Sequence, residues 1–485
     1  MAGSLKFCRG IVAALVCFVT ASYALGDTIV LKNGRRISAL SVTKEGDKIS
    51  YETASGTLTL PNSIVDHIER GGVPSAEAAS TASTLSLKPP ETEAATPLSP
   101  DVGEIQKHVF SGGEVDRNFI AKLELDARSG NTVANQNAAL AHHLASQFEL
   151  ARGEMDLALA DERTALNYAP QQPVFLMNVA YLHLRRSEFT QSLDYLERAR
   201  RIVPNDPEVL KLSGWAYYGL NKMDQAVAEW NRSQALRPDE EVAAALRKAQ
   251  RDKQEEEKYK ENESRHFTLR YSGAEEPSLA RDVLHTLERH FDTIESELSY
   301  TPPDSIGVVL YTQQAFADIT QAPNWVGALN DGRIRAPVQG LHEMTPDLSR
   351  VLKHELTHSF IQQKSASHAP TWIQEGLAQW MEGKRSDVFA VGLVRMYQSN
   401  PDLGIIHFEG DWMKFSNDAA AVAYAWALAN IEYIVHSGGM SDLNRLMDRL
   451  ATGESTESAM KAVLRSGYAD LAGNTVDYLK KTYIH

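Results

Sequence analysis

Apolar positions change their spacing along this chain, and each change predicts a different unit. Ile11 to Val19 is a short apolar run behind Lys6 and Arg9, followed by the small-residue stretch Ala21-Ser22-Tyr23-Ala24. That order is expected of a secretory signal peptide over 1–24, too short to span a bilayer. From 27 to 70 the alternation has period two: Thr28-Ile29-Val30-Leu31, Ile49-Ser50-Tyr51-Glu52-Thr53 and Thr57-Leu58-Thr59-Leu60, with turn pairs at Asn33-Gly34 and Ser55-Gly56. This predicts a small β barrel. Residues 71–103 are rich in Ser, Ala, Thr, Pro and Glu and read as a flexible linker. Helical spacing fills 104–262. From 265 to 485 the pattern mixes strands (266–271, 306–311) with helices over 277–299, 348–361, 371–380, 386–398, 418–437 and 440–450. The expectation is a multidomain α+β protein.

Within the helical stretch, Pro170, Pro204 and Pro238 are each 34 residues apart, the tetratricopeptide period. One unit carries Leu176, Ala180 and Ala199; the next carries Gly214, Tyr217, Ala226 and Trp230. Small residues at these places let paired helices approach, and stacking buries faces that no single pair could cover. The reading is a tetratricopeptide α-solenoid with a protein partner. His142 and His143 are expected on a helix surface, and the charged run 247–258 on a solvated face. The β unit near the N-terminus resembles the SH3-like barrels that follow bacterial signal peptides.

Composition adds two constraints. Both cysteines, Cys8 and Cys17, fall inside the signal segment, so no disulfide or thiolate site is expected in the mature chain. The formal charge of −14 becomes −16 once Lys6 and Arg9 are removed; nucleic acid is an unfavourable partner for such a chain. No later run is apolar enough for an integral membrane segment, and a mature chain without cysteine suits a periplasmic or secreted protein.

The candidate chemistry lies in His354-Glu355-Leu356-Thr357-His358. Histidines four apart share a helix face, so both imidazoles can converge on one Zn2+. Glu355 lies about 100° around the helix, placed to act as a base rather than a ligand. After the breaker-rich 364–370, Thr371-Trp372-Ile373-Gln374-Glu375-Gly376 starts a second helix and puts Glu375 seventeen residues past His358. Two histidines and one carboxylate leave a fourth position open, as in a catalytic zinc site. His342-Glu343 begins in the same way, but Pro346 stands where the second histidine belongs, so it reads as a loop; His368 is expected in a solvated loop.

These residues resemble the peptidase MA-like domain of gluzincin zinc metallopeptidases over about 265–485. The resemblance implies zinc on His354, His358 and Glu375, with Glu355 as catalytic glutamate. It departs at Gln379, where many gluzincins carry an Asp that orients a zinc-bound histidine. By position, Tyr424 is the candidate oxyanion donor; packing between helices is the equal alternative for an aromatic there. Asn330-Asp331-Gly332 signals a hairpin turn whose edge strand could pair with an extended peptide. Gly327-Ala328-Leu329-Asn330-Asp331 resembles the Gly-Ala-Met-Glu-Asn strand of aminopeptidases, with Asn330 in place of the amine-binding Glu, which favours an endopeptidase.

The sequence therefore reads as a secreted zinc-dependent metallopeptidase acting on a protein or peptide substrate, its repeats recruiting substrate or partner. The alternative is a non-catalytic cell-envelope scaffold with a vestigial metal site.

Overall fold

The computed structural model describes residues 26–32, 36–39, 41–46, 48–53, 56–73, 87–90, 99–272, 277–320, 328–338, 341–400, 412 and 417–484. The signal segment 1–24, the Asn33-Gly34 turn, Trp325 to Gly327 and much of 71–103 lie outside them. The described chain is mostly helical with small sheets, compatible with a multidomain α+β arrangement.

Six strands come first: β1 Gly26–Leu31, β2 Arg36–Ala39, β3 Ser41–Glu45, β4 Lys48–Thr53, β5 Gly56–Pro61 and β6 Val65–Val73. They make two antiparallel three-stranded sheets, ordered β2-β1-β6 and β3-β4-β5. Ile29, Val42, Ile49, Tyr51 and Val65 form their small core. Ile49 and Tyr51 are two apart on β4, so they share one face. Leu58 on β5 also packs against the large C-terminal core.

A run of helices follows: α1 Val102–His108, then the short hairpin β7 Phe110–Ser111 and β8 Glu114–Val115, then α2 Arg117–Ala127, α3 Thr132–Ala151, α4 Met155–Tyr168, α5 Pro173–Arg185, α6 Phe189–Ile202, α7 Pro207–Gly219, α8 Met223–Leu236 and α9 Glu240–Glu256. Pro173 and Pro207 sit in the first turns of α5 and α7, where a missing N–H loses no helical bond. Asp206 and Asp239 cap α7 and α9 by accepting from Glu208 N and Glu241 N, each at 2.8 Å. A Cβ on Gly214 would fall 2.3 Å from the Trp230 ring. Hydrogen there lets α7 and α8 close on the indole, whose Nε1 donates to the Lys211 carbonyl.

One surface expectation fails in this region and another holds only in part. His142 and His143 are buried, paired through Nδ1 with Asp161 at 2.7 Å and Glu162 at 2.9 Å on α4. Carboxylates on the facing helix satisfy them, which a pattern read along one helix does not reveal. The charged run 247–258 is exposed at most positions, as expected, with two acidic exceptions. Asp252 and Glu256 are buried against Arg333 and Arg335 of the C-terminal sheet.

That sheet has five strands, β9 Lys260–Glu263, β10 Phe267–Tyr271, β11 Ile306–Tyr311, β12 Leu329–Asn330 and β13 Ile334–Pro337, in the order β12-β13-β11-β10-β9. The β10-β11-β13 pairs are parallel; both edges are antiparallel. Every residue of β11 is buried. Val308 and Leu310 face the main core with α10 (Pro277–Leu298), while Val309 and Tyr311 face α11 (Gln313–Thr320). A central parallel strand covered on both sides needs this continuous apolar run. The Asn330-Asp331-Gly332 turn forms as expected, with Gly332 at φ +100°.

The remaining helices are α12 Pro346–Lys364, α13 Thr371–Met381, α14 Ala390–Ser399, α15 Asn417–Ala451, α16 Thr456–Leu464 and α17 Tyr468–Tyr483. Gly439 (φ 72°) breaks α15 into two pieces. Among the described residues, no helix is long and apolar enough to cross a membrane.

Candidate metal centre

Thr345 starts α12 by accepting from Leu348 N at 3.1 Å, and Pro346 takes the first helical position. His354 to Ile361 are all buried, between the sheet and α13. Polar groups in such a place need partners. Glu375, on α13, brings one. Its Oε2 lies 3.5 Å from Nε2 of His354 and 3.7 Å from Nε2 of His358. One donor atom from each of the three falls within 4.8 Å of the others, and no other such group forms among the described residues.

Gly376 makes this approach possible. A Cβ there would lie 2.4 Å from the Ala427 carbonyl oxygen on α15. A side chain would push α13, and Glu375 with it, away from its present seat.

The donor set fits a tetrahedral divalent ion. Arms of about 2.0–2.1 Å place ligands roughly 3.3 Å apart, close to the spacing found. Nε2 of His354, both ring nitrogens of His358 and both carboxyl oxygens of Glu355 are buried with no hydrogen-bond partner among the described residues. Uncompensated groups in that number are costly unless something polar joins them.

The electrostatics follow the same geometry. Burial opposes charge on His354, but Glu375 and Glu382 outweigh it and raise its pKa to about 10. Burial, helped by the His354 charge, pushes His358 well below its usual value and keeps it neutral. Burial also raises the Glu355 carboxyl to about 8; His354 pulls it down while Glu375, Glu382 and Asp331 push it up. A divalent cation would favour its ionised form.

Glu382 was not singled out by the sequence. Its Oε1 lies 3.5 Å from Nδ1 of His354 and 2.9 Å from Lys384 Nζ. It sits seven residues past Glu375, two helical turns on, so that spacing was the signal to read. Gln379, by contrast, spends its amide on the backbone carbonyls of Glu375 (3.2 Å) and Tyr424 (3.1 Å). It ties α13 to α15 and is buried.

Tyr424 is buried on α15 with its ring 5.0 Å from that of Trp412. Asn330 braces the HExxH helix: its Nδ2 donates to the Glu355 carbonyl at 2.8 Å and to Ser359 Oγ at 2.7 Å. His342 lies in the loop before α12. His368 is half-buried and turned to the repeat side, near the Gly153 backbone.

A model of the Peptidase MA superfamily matches residues 302–482, the span that holds β11 to α17 and all the residues above. The match supports a peptidase MA-like domain there. Protein CTR9 homolog from Arabidopsis thaliana is 33% identical over 94 residues, 19% of this chain and 9% of that protein. The chain thus matches only a small part of that relative's length.

Proposed function

We propose that the chain is a secreted zinc metallopeptidase of the gluzincin kind, cutting peptide bonds inside a protein or peptide substrate. The observation that carries this reading is the convergence of His354, His358 and Glu375 around one point beside the buried Glu355. The three would hold the ion through two imidazole nitrogens and one carboxylate oxygen. Zinc held there supplies Lewis acidity, making water nucleophilic near neutral pH. Glu355 accepts the proton from the attacking water and returns it to the leaving amine. Glu382 holds His354 by Nδ1, leaving Nε2 for the ion. Tyr424 is the proposed donor to the oxyanion. Asn330 offers no carboxylate for a substrate's free amine and its amide is committed to Glu355 and Ser359, which supports an endopeptidase.

The finer architecture belongs to the same reading: signal peptide 1–24, SH3-like barrel 27–70, linker 71–103, tetratricopeptide region 104–262 and peptidase domain 265–485. The periodic prolines and paired helices support the repeats, and the apolar run behind Lys6 and Arg9 supports export to a periplasmic or extracellular space.

The test is Glu355→Gln in the mature chain, assayed on a diverse peptide library with zinc content measured in parallel. Retained zinc with cleavage lost by several orders of magnitude is expected. Full cleavage by the variant would overturn the mechanism. A scaffold with a silent metal site has one observation in its favour: His354, Glu355, His358 and Glu375 are each no more than 2% exposed. Zinc binding without cleavage of any library member by the unaltered protein would select that reading.

A further inference from the structure

A cavity of about 770 Å³ lies between the repeat helices and the C-terminal sheet. It is lined by the chain's own Leu87-Lys88-Pro89-Pro90, by Tyr181, Phe189 and Tyr218 from α5, α6 and α7, and by the Asp331-Gly332 turn. Leu87 is buried and packs with the repeat core. Its carbonyl accepts a hydrogen bond from the Tyr181 hydroxyl at 3.1 Å, and Arg185 Nη1 donates to that same hydroxyl at 3.0 Å.

The chemistry of the seated segment is specific. Pro89 and Pro90 have no N–H to leave unsatisfied, and proline also holds Lys88 away from helical geometry. Proline-containing segments are recognised in extended form because little ordering entropy is lost, and Tyr181, Phe189 and Tyr218 lining the same cavity supply the aromatic surface such peptides use. Here the apolar anchor is Leu87, and a phenol fixes the strand's register through a carbonyl. Leu87 is buried, Pro90 half-buried, and Lys88 and Pro89 exposed, so the segment is held mainly by its leucine and is not threaded through the core.

We infer that the surface beside this cavity, where Leu87 is seated, is a binding site for an extended peptide in which one residue separates a leucine from a proline pair, and that Leu87–Pro90 is its tethered occupant. A partner protein carrying such a stretch would displace it. The inference does not depend on zinc or on peptide cleavage.

The tether sets the expected size of the effect. An attached competitor acts at an effective concentration on the order of millimolar, so a free peptide with micromolar affinity is weakened at least about tenfold. The probe is a fluorescein-labelled peptide of residues 84–93, titrated by anisotropy into the unaltered chain and into Leu87→Asp. Saturable binding to Leu87→Asp, at least tenfold tighter than to the unaltered chain, is expected. Adding Tyr181→Phe to Leu87→Asp should weaken it again, and a peptide with both prolines replaced by Ala should bind poorly. Because Leu87 is buried, the double variant Pro89→Ala/Pro90→Ala, which alters more exposed positions, repeats the release without disturbing the core. Equal binding to the unaltered and released chains, or no binding to either released chain while circular dichroism shows them folded, overturns the inference.

Discussion

Nδ1 of His354 faces Oε1 of Glu382 across 3.5 Å, while Nε2 of the same ring faces Glu375. One imidazole is thus held from behind by a carboxylate and presented in front to the candidate metal point. Glu382→Gln keeps the shape and removes the charge. It is expected to weaken zinc binding roughly 10–100-fold, as loss of such an orienting group does. Competition against a coloured chelator measures this without any substrate. Unchanged affinity in the variant, with tight binding by the unaltered chain, would remove Glu382 from the site; absence of binding by either would reject the metal reading itself.

Metal affinity should rise with pH. His354 carries a proton up to about 10 because Glu375 and Glu382 outweigh burial, and an ion has to displace that proton. His358 is already neutral and releases none. Between pH 6 and 9 the apparent association constant is therefore expected to climb by about tenfold per unit. The same chelator competition at several pH values gives the slope; a flat profile would contradict a protonated His354.

Gly376→Ala should damage fold and metal site together. The new methyl meets a backbone oxygen of α15 at 2.4 Å, and backbone cannot rotate aside. Overpacking of this kind costs about 1–3 kcal/mol. Thermal unfolding should shift down, and zinc affinity should fall because Glu375 moves with its neighbour. Gly130→Ala in the turn before α3, with nothing within 4 Å of its added Cβ but φ at +72°, should destabilise through backbone strain while leaving zinc affinity near that of the parent.

Asn330→Ala removes two hydrogen bonds to α12 and leaves the Glu355 carbonyl without that donor. A loss of about 1–3 kcal/mol is expected, the penalty of buried groups left unmade. Urea denaturation followed by tryptophan fluorescence reads it. Asn330→Asp, which cannot donate, should be no better than Ala.

Breaking the ion network between α9 and the sheet should be severe. Arg335 bonds Asp331 at 2.9 Å and Asp252 at 2.7 Å, and Arg333 bonds Glu256 at 2.6 Å, all buried. Arg335→Met takes one cation from Asp331 and Asp252, leaving Lys248 at 2.6 Å to the first and Arg333 at 3.4 Å to the second; breaking buried pairs of this kind costs up to about 3–5 kcal/mol. The urea midpoint should drop sharply and recover in part when Asp252→Leu is added. A midpoint unmoved by Arg335→Met would mean that water compensates these groups.

How legible was this in the sequence? His354, His358 and Glu375 could be read because helical spacing and one turn fix where they go. The Asn330-Asp331-Gly332 turn was legible because only certain residues accept its backbone. The pairings that failed all cross between elements. His142 and His143 find carboxylates 19 residues on, and Asp252 and Glu256 find arginines about 80 residues on. Charge on a helix looks the same to a pattern whether water or a guanidinium meets it. Glu382 belongs with these: it meets Nδ1 of His354 from the end of a different helix, and its seven-residue spacing from Glu375 is no more distinctive than the four-residue spacing of Gln379.

Helix α9 serves two masters, closing the helical region with Val242 and Ala249 and neutralising the sheet with Asp252 and Glu256. A shortened protein that began at β9 would therefore leave Arg333 without Glu256 and Asp252, and Arg335 with Asp331 as its one remaining carboxylate partner among the described residues. The smallest folded piece able to display the metal centre has to start upstream of Glu240, so recombinant dissection of this molecule should cut inside the helical region and never at its border.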